Sequence, residues 1–113
     1  RDLANYMLVL SCNGTDPRTG ERLVEDWIAR IVKTLMVTCG LYDGSGEFAM
    51  RVGLPAKSGV GGGIVASVEG KMGIAAFSPA LDKKGNSVGA YRILEYLSYQ
   101  LGLHYFAGKE CKI

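Results

Sequence analysis

Apolar residues recur at helical spacing from the start of the chain, with Leu3, Met7 and Leu10 on one face and Asn13-Gly14 as a stop. A turn-rich stretch, Thr15-Asp16-Pro17-Arg18-Thr19-Gly20, separates this helix from a second. There Trp27, Ile28, Ile31, Val32 and Leu35 mark the apolar face of an amphipathic helix over residues 25–37, opened by Glu25-Asp26 and closed by Cys39-Gly40. Asp43-Gly44-Ser45-Gly46 reads as a tight turn, and Glu47-Phe48-Ala49-Met50-Arg51-Val52 alternates as a short strand does. Beyond Leu54 the period stays at two. Residues 56–60, 64–68 and 72–78 predict three strands joined by Gly61-Gly62-Gly63 and Glu69-Gly70, an antiparallel meander. After the polar loop 82–87, Val88, Tyr91, Ile93, Leu94, Leu97 and Leu101 predict a last helix ending near Gly102, followed by a frayed tail over 107–113. Two helices, a meander and a covering helix make an α+β chain, an α/β sandwich.

Composition narrows the functional classes. The 113 residues, 48% hydrophobic and 21% charged, amount to one domain or a piece of one, with enough apolar surface to offset the ordering entropy of a fold. Thirteen Lys and Arg against 11 Asp and Glu are scattered singly, so there is no electrostatic footprint for nucleic acid. The apolar runs fall far short of the roughly 20 residues that cross a bilayer, and no basic segment leads an apolar one as in an export signal. Cys12, Cys39 and Cys111 are odd in number and widely spaced, which suits reduced thiols in a cytoplasm rather than a disulfide framework or a metal site. Cys39, at an apolar helix end with no basic neighbour, reads as a small buried hydrophobe. His104 alone cannot build a metal cluster or a Ser/His/Asp triad; it reads as a packing or capping residue, and Lys and Tyr are left as candidate bases.

Candidate chemistry concentrates in Lys57-Ser58-Gly59-Val60-Gly61-Gly62-Gly63. Glycine in a strand marks a bulge or a close approach of ligand or backbone, and free N–H groups on an edge strand can donate to a developing oxyanion. Lys57 adds a cation there and Ser58 a hydroxyl. The segment is neither GxxxxGK[ST] nor GxGxxG, so it is no phosphate cradle. The second stretch of interest is Thr38-Cys39-Gly40-Leu41-Tyr42-Asp43, where a phenol sits at a helix-ending turn.

These two stretches, with Gly46-Glu47-Phe48-Ala49, Val52-Gly53-Leu54-Pro55-Ala56, Phe77-Ser78-Pro79 and Gly85-Asn86-Ser87-Val88, resemble in order and spacing the C-terminal part of the serine-dependent glutaminases, which share the fold of the serine β-lactamases. The resemblance implies hydrolysis of L-glutamine to L-glutamate and ammonia, without metal or organic cofactor, in a homo-oligomer. It also implies site roles: Lys57 and Tyr42 catalytic, with Tyr42, Ser58, Gly59 and Val60 in contact with substrate. Lys57-Ser58-Gly59 stands where the related enzymes carry Lys-Thr-Gly, and the Val60 N–H serves the oxyanion.

One family feature is missing. Acyl transfer of this kind needs Ser-x-x-Lys, the lysine one helical turn from the serine it activates. Ser11, Ser45, Ser58, Ser67, Ser78, Ser87 and Ser98 are followed at that offset by Gly14, Phe48, Gly61, Gly70, Leu81, Ala90 and Leu101. The expectation is therefore that residues 1–106 form the C-terminal portion of a longer glutaminase domain, inactive without its N-terminal part. Two alternatives compete with it: a small non-enzymatic domain that binds a metabolite or partner, and a fragment of a penicillin-recognising serine hydrolase.

Overall fold

The computed structural model describes residues 1–108. Along the chain lie α1 (Asp2–Ser11), α2 (Asp26–Cys39), a 3-10 turn (Tyr42–Gly44), α3 (Ser45–Arg51), β1 (Ala56–Gly59), β2 (Gly63–Val68), β3 (Met72–Phe77) and α4 (Val88–Leu101). The meander is as its period-2 pattern predicts: one antiparallel sheet in the order β1-β2-β3, with Lys57 opposite Val65 and Val65 opposite Ala75. Ser87 caps α4 by accepting from the Ala90 N–H at 3.2 Å, and Gly102, at φ 63°, ends it in the left-handed conformation that glycine adopts freely. Of the tail expected to fray, Ala107 and Gly108 carry no regular structure, and the rest lies outside the described residues.

Two expectations need correction. Residues 47–52 belong to a helix and its cap, not to a strand. Alternation would bury Phe48, Met50 and Val52 together, yet Met50 is 72% exposed, and Ser45, Phe48 and Val52, three and four residues apart, face the core. Glu47 and Arg51 add an i,i+4 ion pair at 3.1 Å. In α2 the helix is right and its inward face is not. Ala29, Lys33 and Met36 turn inward, whereas Trp27, Ile28, Ile31 and Leu35 stay exposed, because no element among the described residues covers that side.

The sheet is covered on both faces. Ala56, Ile64, Ala66 and Val68 point one way, into a core completed by Leu41, Phe48, Val52, Leu54, Ala90, Leu94 and Leu103. Val65 points the other way, toward Met7 and Leu10 of α1 and Ala29 and Met36 of α2. α1 lies so close on this side that a Cβ at Gly73 would overlap the α1 backbone at Ala4, and the buried Ser67 hydroxyl donates to the Met7 carbonyl at 3.2 Å. Lys33 ties α2 to two loops: its ammonium, nearly buried, donates to Asn13 Oδ1 at 2.7 Å and to Glu69 Oε1 and Oε2 at 2.9 and 2.7 Å.

Lys33→Met removes these bonds and keeps the apolar stem. Glu69, whose side chain is 61% exposed, can rehydrate; a loss of about 1–2 kcal/mol in urea denaturation is expected, and an unchanged midpoint would contradict the clamp.

Asp16 accepts from the Arg18 backbone N–H at 2.9 Å, Nε at 3.0 Å and Nη2 at 2.9 Å, and these bonds hold its carboxyl below the ordinary value of 3.8. A depressed folded-state pKa contributes stability above the unfolded pKa and loses it as pH falls through the folded one. The stability gap between the native chain and Asp16→Asn should thus be open at neutral pH and narrow below pH ~3.8. Denaturation midpoints at neutral and acid pH measure it; a gap that widens on acidification would contradict the assignment.

Candidate active site

β1 alternates. Ala56 and Ser58 face the α3–α4 core, while Lys57 and Gly59 face outward on the side of α1 and α2. The strand is one edge of the sheet and runs alongside the turn that leaves α2. Its contact with that turn is very close: a Cβ at Gly40 would overlap the Ala56 carbonyl oxygen, and the Gly40 carbonyl accepts from the Ser58 N–H at 3.1 Å. Ser58 itself is only 4% exposed, and its hydroxyl lies 3.4 Å from the same Gly40 oxygen. Its side chain is therefore under the strand, on the opposite face from the Lys57 ammonium.

The turn presents Tyr42. Its φ of 53° lies in the left-handed region, which a bulky side chain rarely adopts and which costs on the order of 1–3 kcal/mol. The residue nevertheless stays 46% exposed, and Lys57 Nζ sits 4.8 Å from the ring centroid. At that distance the ammonium gains from the electron-rich ring face, and cation and phenol share one opening. Val60, 68% exposed, follows at the β1–β2 turn, where Gly62 at φ 106° is too close to the Ser78 carbonyl to carry a side chain. Among the described residues the Val60 N–H has no acceptor beyond the strand ladder. Lys57, Tyr42, Gly59 and Val60 thus share one border, and the Ser58 side chain does not join them.

An apolar groove of ≈ 430 Å³ runs from this border between α1 and α2, lined among others by Leu3, Met7, Leu10, Leu35, Cys39 and Lys57. Cys39 is consequently exposed rather than buried, and its thiol donates to the Leu35 carbonyl at 3.1 Å. A second cleft, of ≈ 410 Å³, lies between α3 and α4, and in it Arg51 pairs with Glu47 and Glu95, and Lys84 with Glu47. Tyr91 in that cleft packs edge-on against Phe48 at 5.1 Å, and burial pushes its phenol up. His104, as expected, is a packing residue: Nε2 meets the Met50 carbonyl at 3.0 Å and Nδ1 accepts from the Phe106 N–H at 3.0 Å. Among the described residues no three His, Cys, Asp or Glu side chains gather to hold a metal, and no helix is long and apolar enough to cross a membrane.

A family model described as glutaminase matches residues 1–106. The chain belongs to the glutaminase family. It is 58% identical over 105 residues to a glutaminase of Clostridioides difficile, covering 93% of this chain and 34% of that protein. A glutaminase of Clostridium tetani is 56% identical over 106 residues, 94% of this chain and 35% of the relative. The chain thus spans about a third of the length of the curated relatives it matches. Among solved structures it superposes on a probable glutaminase, YbaS, with a TM-score of 0.89 at 46% identity, covering 95% of this chain and 35% of that one. It also superposes on the Bacillus subtilis glutaminase YbgJ in covalent complex with 5-oxo-L-norleucine, formed by reaction with 6-diazo-5-oxo-L-norleucine. There the TM-score is 0.88 at 37% identity, over 93% of this chain and 38% of that one. The family match falls on glutaminase and not on the penicillin-recognising hydrolases that Lys57-Ser58-Gly59 alone would also suit.

Sequence reasoning singled out the two segments that the structure brings together but not what holds them together. Gly40 read only as a helix stop, Ser45 as part of a turn, and Asn86 as part of a polar loop. Ser45 Oγ accepts from the Leu41 N–H at 2.9 Å and donates to the Tyr42 carbonyl at 2.8 Å, while Asn86 Nδ2 donates to the Leu41 carbonyl at 3.0 Å. A buried asparagine in a loop rich in Asp, Lys and Gly leaves no periodic signal, because its partner is 45 residues away.

Gly40→Ala is expected to force β1 off the turn. A cost of about 1–3 kcal/mol or more should appear in chemical denaturation, since the clash is with backbone that cannot rotate away. Wild-type stability in this variant would mean that β1 and the turn are not in contact.

Proposed function

We propose that this chain forms one wall of an active site that hydrolyses L-glutamine to L-glutamate and ammonia by a serine acyl-enzyme route. The observation that carries it is the Lys57 ammonium 4.8 Å over the ring of Tyr42, at the edge of an exposed strand rich in glycine. The serine and its activating lysine come from a segment of the enzyme outside these 113 residues. The apolar groove beside Lys57 supports that division, because a helix seated there would bring a hydroxyl to the ammonium while burying Leu3, Tyr6 and Leu35. The unpartnered stripe of Trp27, Ile31 and Leu35 on α2 points to the same missing layer.

In this mechanism the serine oxygen attacks the side-chain carboxamide carbon of glutamine, and the carbonyl oxygen takes the negative charge. The Val60 N–H stabilises that oxyanion. The activating lysine takes the serine proton during the attack, Tyr42 passes its own to the departing nitrogen, which leaves as ammonia, and water, giving a proton back to Tyr42, then cleaves the acyl-enzyme to glutamate while the lysine returns the proton to the serine. Lys57 offsets the negative charge that develops at the centre, and Gly59 leaves room for the substrate. Ser58 acts from beneath, through its bonds to Gly40, by keeping β1 in register with the turn. The covalent norleucine complex of the Bacillus subtilis relative supports a nucleophile that attacks a glutamine-like chain. By family resemblance the enzyme is a cytoplasmic homo-oligomer that needs no metal or organic cofactor.

Ammonia release from L-glutamine tests the proposal directly. The 113-residue chain should be inactive, and a version extended to carry Ser-x-x-Lys should be active. In the extended enzyme Tyr42→Phe should lower kcat by about 10²-fold or more, the scale of a lost proton-transfer group, and Lys57→Ala should lower it as well. Turnover by the 113 residues alone, or full activity in both variants, would overturn the assignment.

A further inference from the structure

We propose that Asn86 is a positioning residue for Tyr42, holding the phenol at the site through the Leu41 carbonyl; the inference rests on the function proposed above. Inside the turn the Leu41 N–H donates to Ser45 Oγ at 2.9 Å, the Ser45 hydroxyl and N–H both donate to the Tyr42 carbonyl, and the Gly44 N–H donates to the Leu41 carbonyl at 3.0 Å. A further bond, from Asn86 Nδ2 to the Leu41 carbonyl at 3.0 Å, comes from the loop before α4. It is the side-chain bond that ties the left-handed backbone of Tyr42 to the body of the molecule.

The loop is built to deliver that amide. Asp82 Oδ1 accepts from the N–H groups of Lys84 at 2.8 Å and Asn86 at 3.0 Å, and the Asp82 N–H donates to the Asn86 carbonyl at 2.8 Å. Asn86 is left 1% exposed, with Oδ1 buried and unpaired among the described residues. Burying half an amide unsatisfied is unfavourable for stability alone. The same loop brings Gly85, at φ 87°, against the site: a Cβ there would lie 3.7 Å from Tyr42 Cε2 and 4.0 Å from Val60 Cγ1.

Packing among the described residues does not explain why an aromatic stands at position 42. The residue is 46% exposed, and glycine or asparagine would occupy this φ with less strain. The strained residue therefore serves the phenol, and the buried amide that stabilises its peptide belongs to the same apparatus.

The test is a double-mutant cycle in the full-length enzyme, with kcat expressed per site labelled to completion by 6-diazo-5-oxo-L-norleucine, so that misfolded protein does not count. Asn86→Ala should lower kcat per labelled site about tenfold in the Tyr42 enzyme and less than about twofold in Tyr42→Phe, because a residue that acts through the phenol loses its effect with it. Asn86→Asp keeps the volume, removes the donor and should show the same pattern if the alanine variant does not fold. Equal losses in both backgrounds, or a fall in labelled sites with kcat per site unchanged, would make Asn86 a scaffold residue and overturn the inference. So would failure of both variants to fold. If Tyr42→Phe alone leaves kcat intact, the site reading fails first, and the role of Asn86 falls with it.

Discussion

Gly40 has no side chain, and the space that a Cβ would fill is taken by the carbonyl of Ala56. The edge strand and the turn after α2 can touch backbone to backbone only because of this, and the Ser58 N–H then reaches the Gly40 carbonyl. Strand alternation does the rest: with Ala56 and Ser58 committed to the core, Lys57 must emerge on the other face, beside whatever the turn presents. What it presents is Tyr42. The meeting of cation and phenol is therefore set by a packing distance between main chains, and side-chain attraction only refines it.

The parts of the fold that obey one clear period were legible in the sequence. The meander, α4 with its glycine stop, and the existence of α1 and α2 follow from residues whose neighbours in sequence are also their neighbours in space. Residues 47–52 misled because Phe48, Met50 and Val52 fit a strand as well as Phe48 and Val52 fit a helix, and only the core shows which of them is inside. The inward face of α2 was misread for a related reason. Its most apolar stripe, Trp27, Ile31 and Leu35, has no partner among the described residues, while a lysine, Lys33, points inward to meet Asn13 and Glu69. Hydrophobic pattern reports what a helix is suited to bury, and among the described residues nothing covers that stripe.

The site divides in the same way. Lys57, Tyr42, Gly59 and Val60 were singled out as candidates by the residue types around them, and the structure brings them to one border. Ser58 shares their segment but not their face, a distinction of one residue that strand period alone would have supplied. Asn86, Ser45 and Gly40 act through the backbone of other residues across long separations, and such roles leave no local pattern.

Tyr42 sets stability against chemistry at a single position. Its backbone would relax if the side chain were removed or replaced by asparagine, while the proposed proton transfer needs the phenol that makes the conformation costly. A library screened for heat resistance alone would therefore drift toward glycine or asparagine here, and its hardiest members would be those with the phenol gone. Engineering of this chain has to draw its added stability from elsewhere, and the bare side of α2 offers more room for it than the turn does.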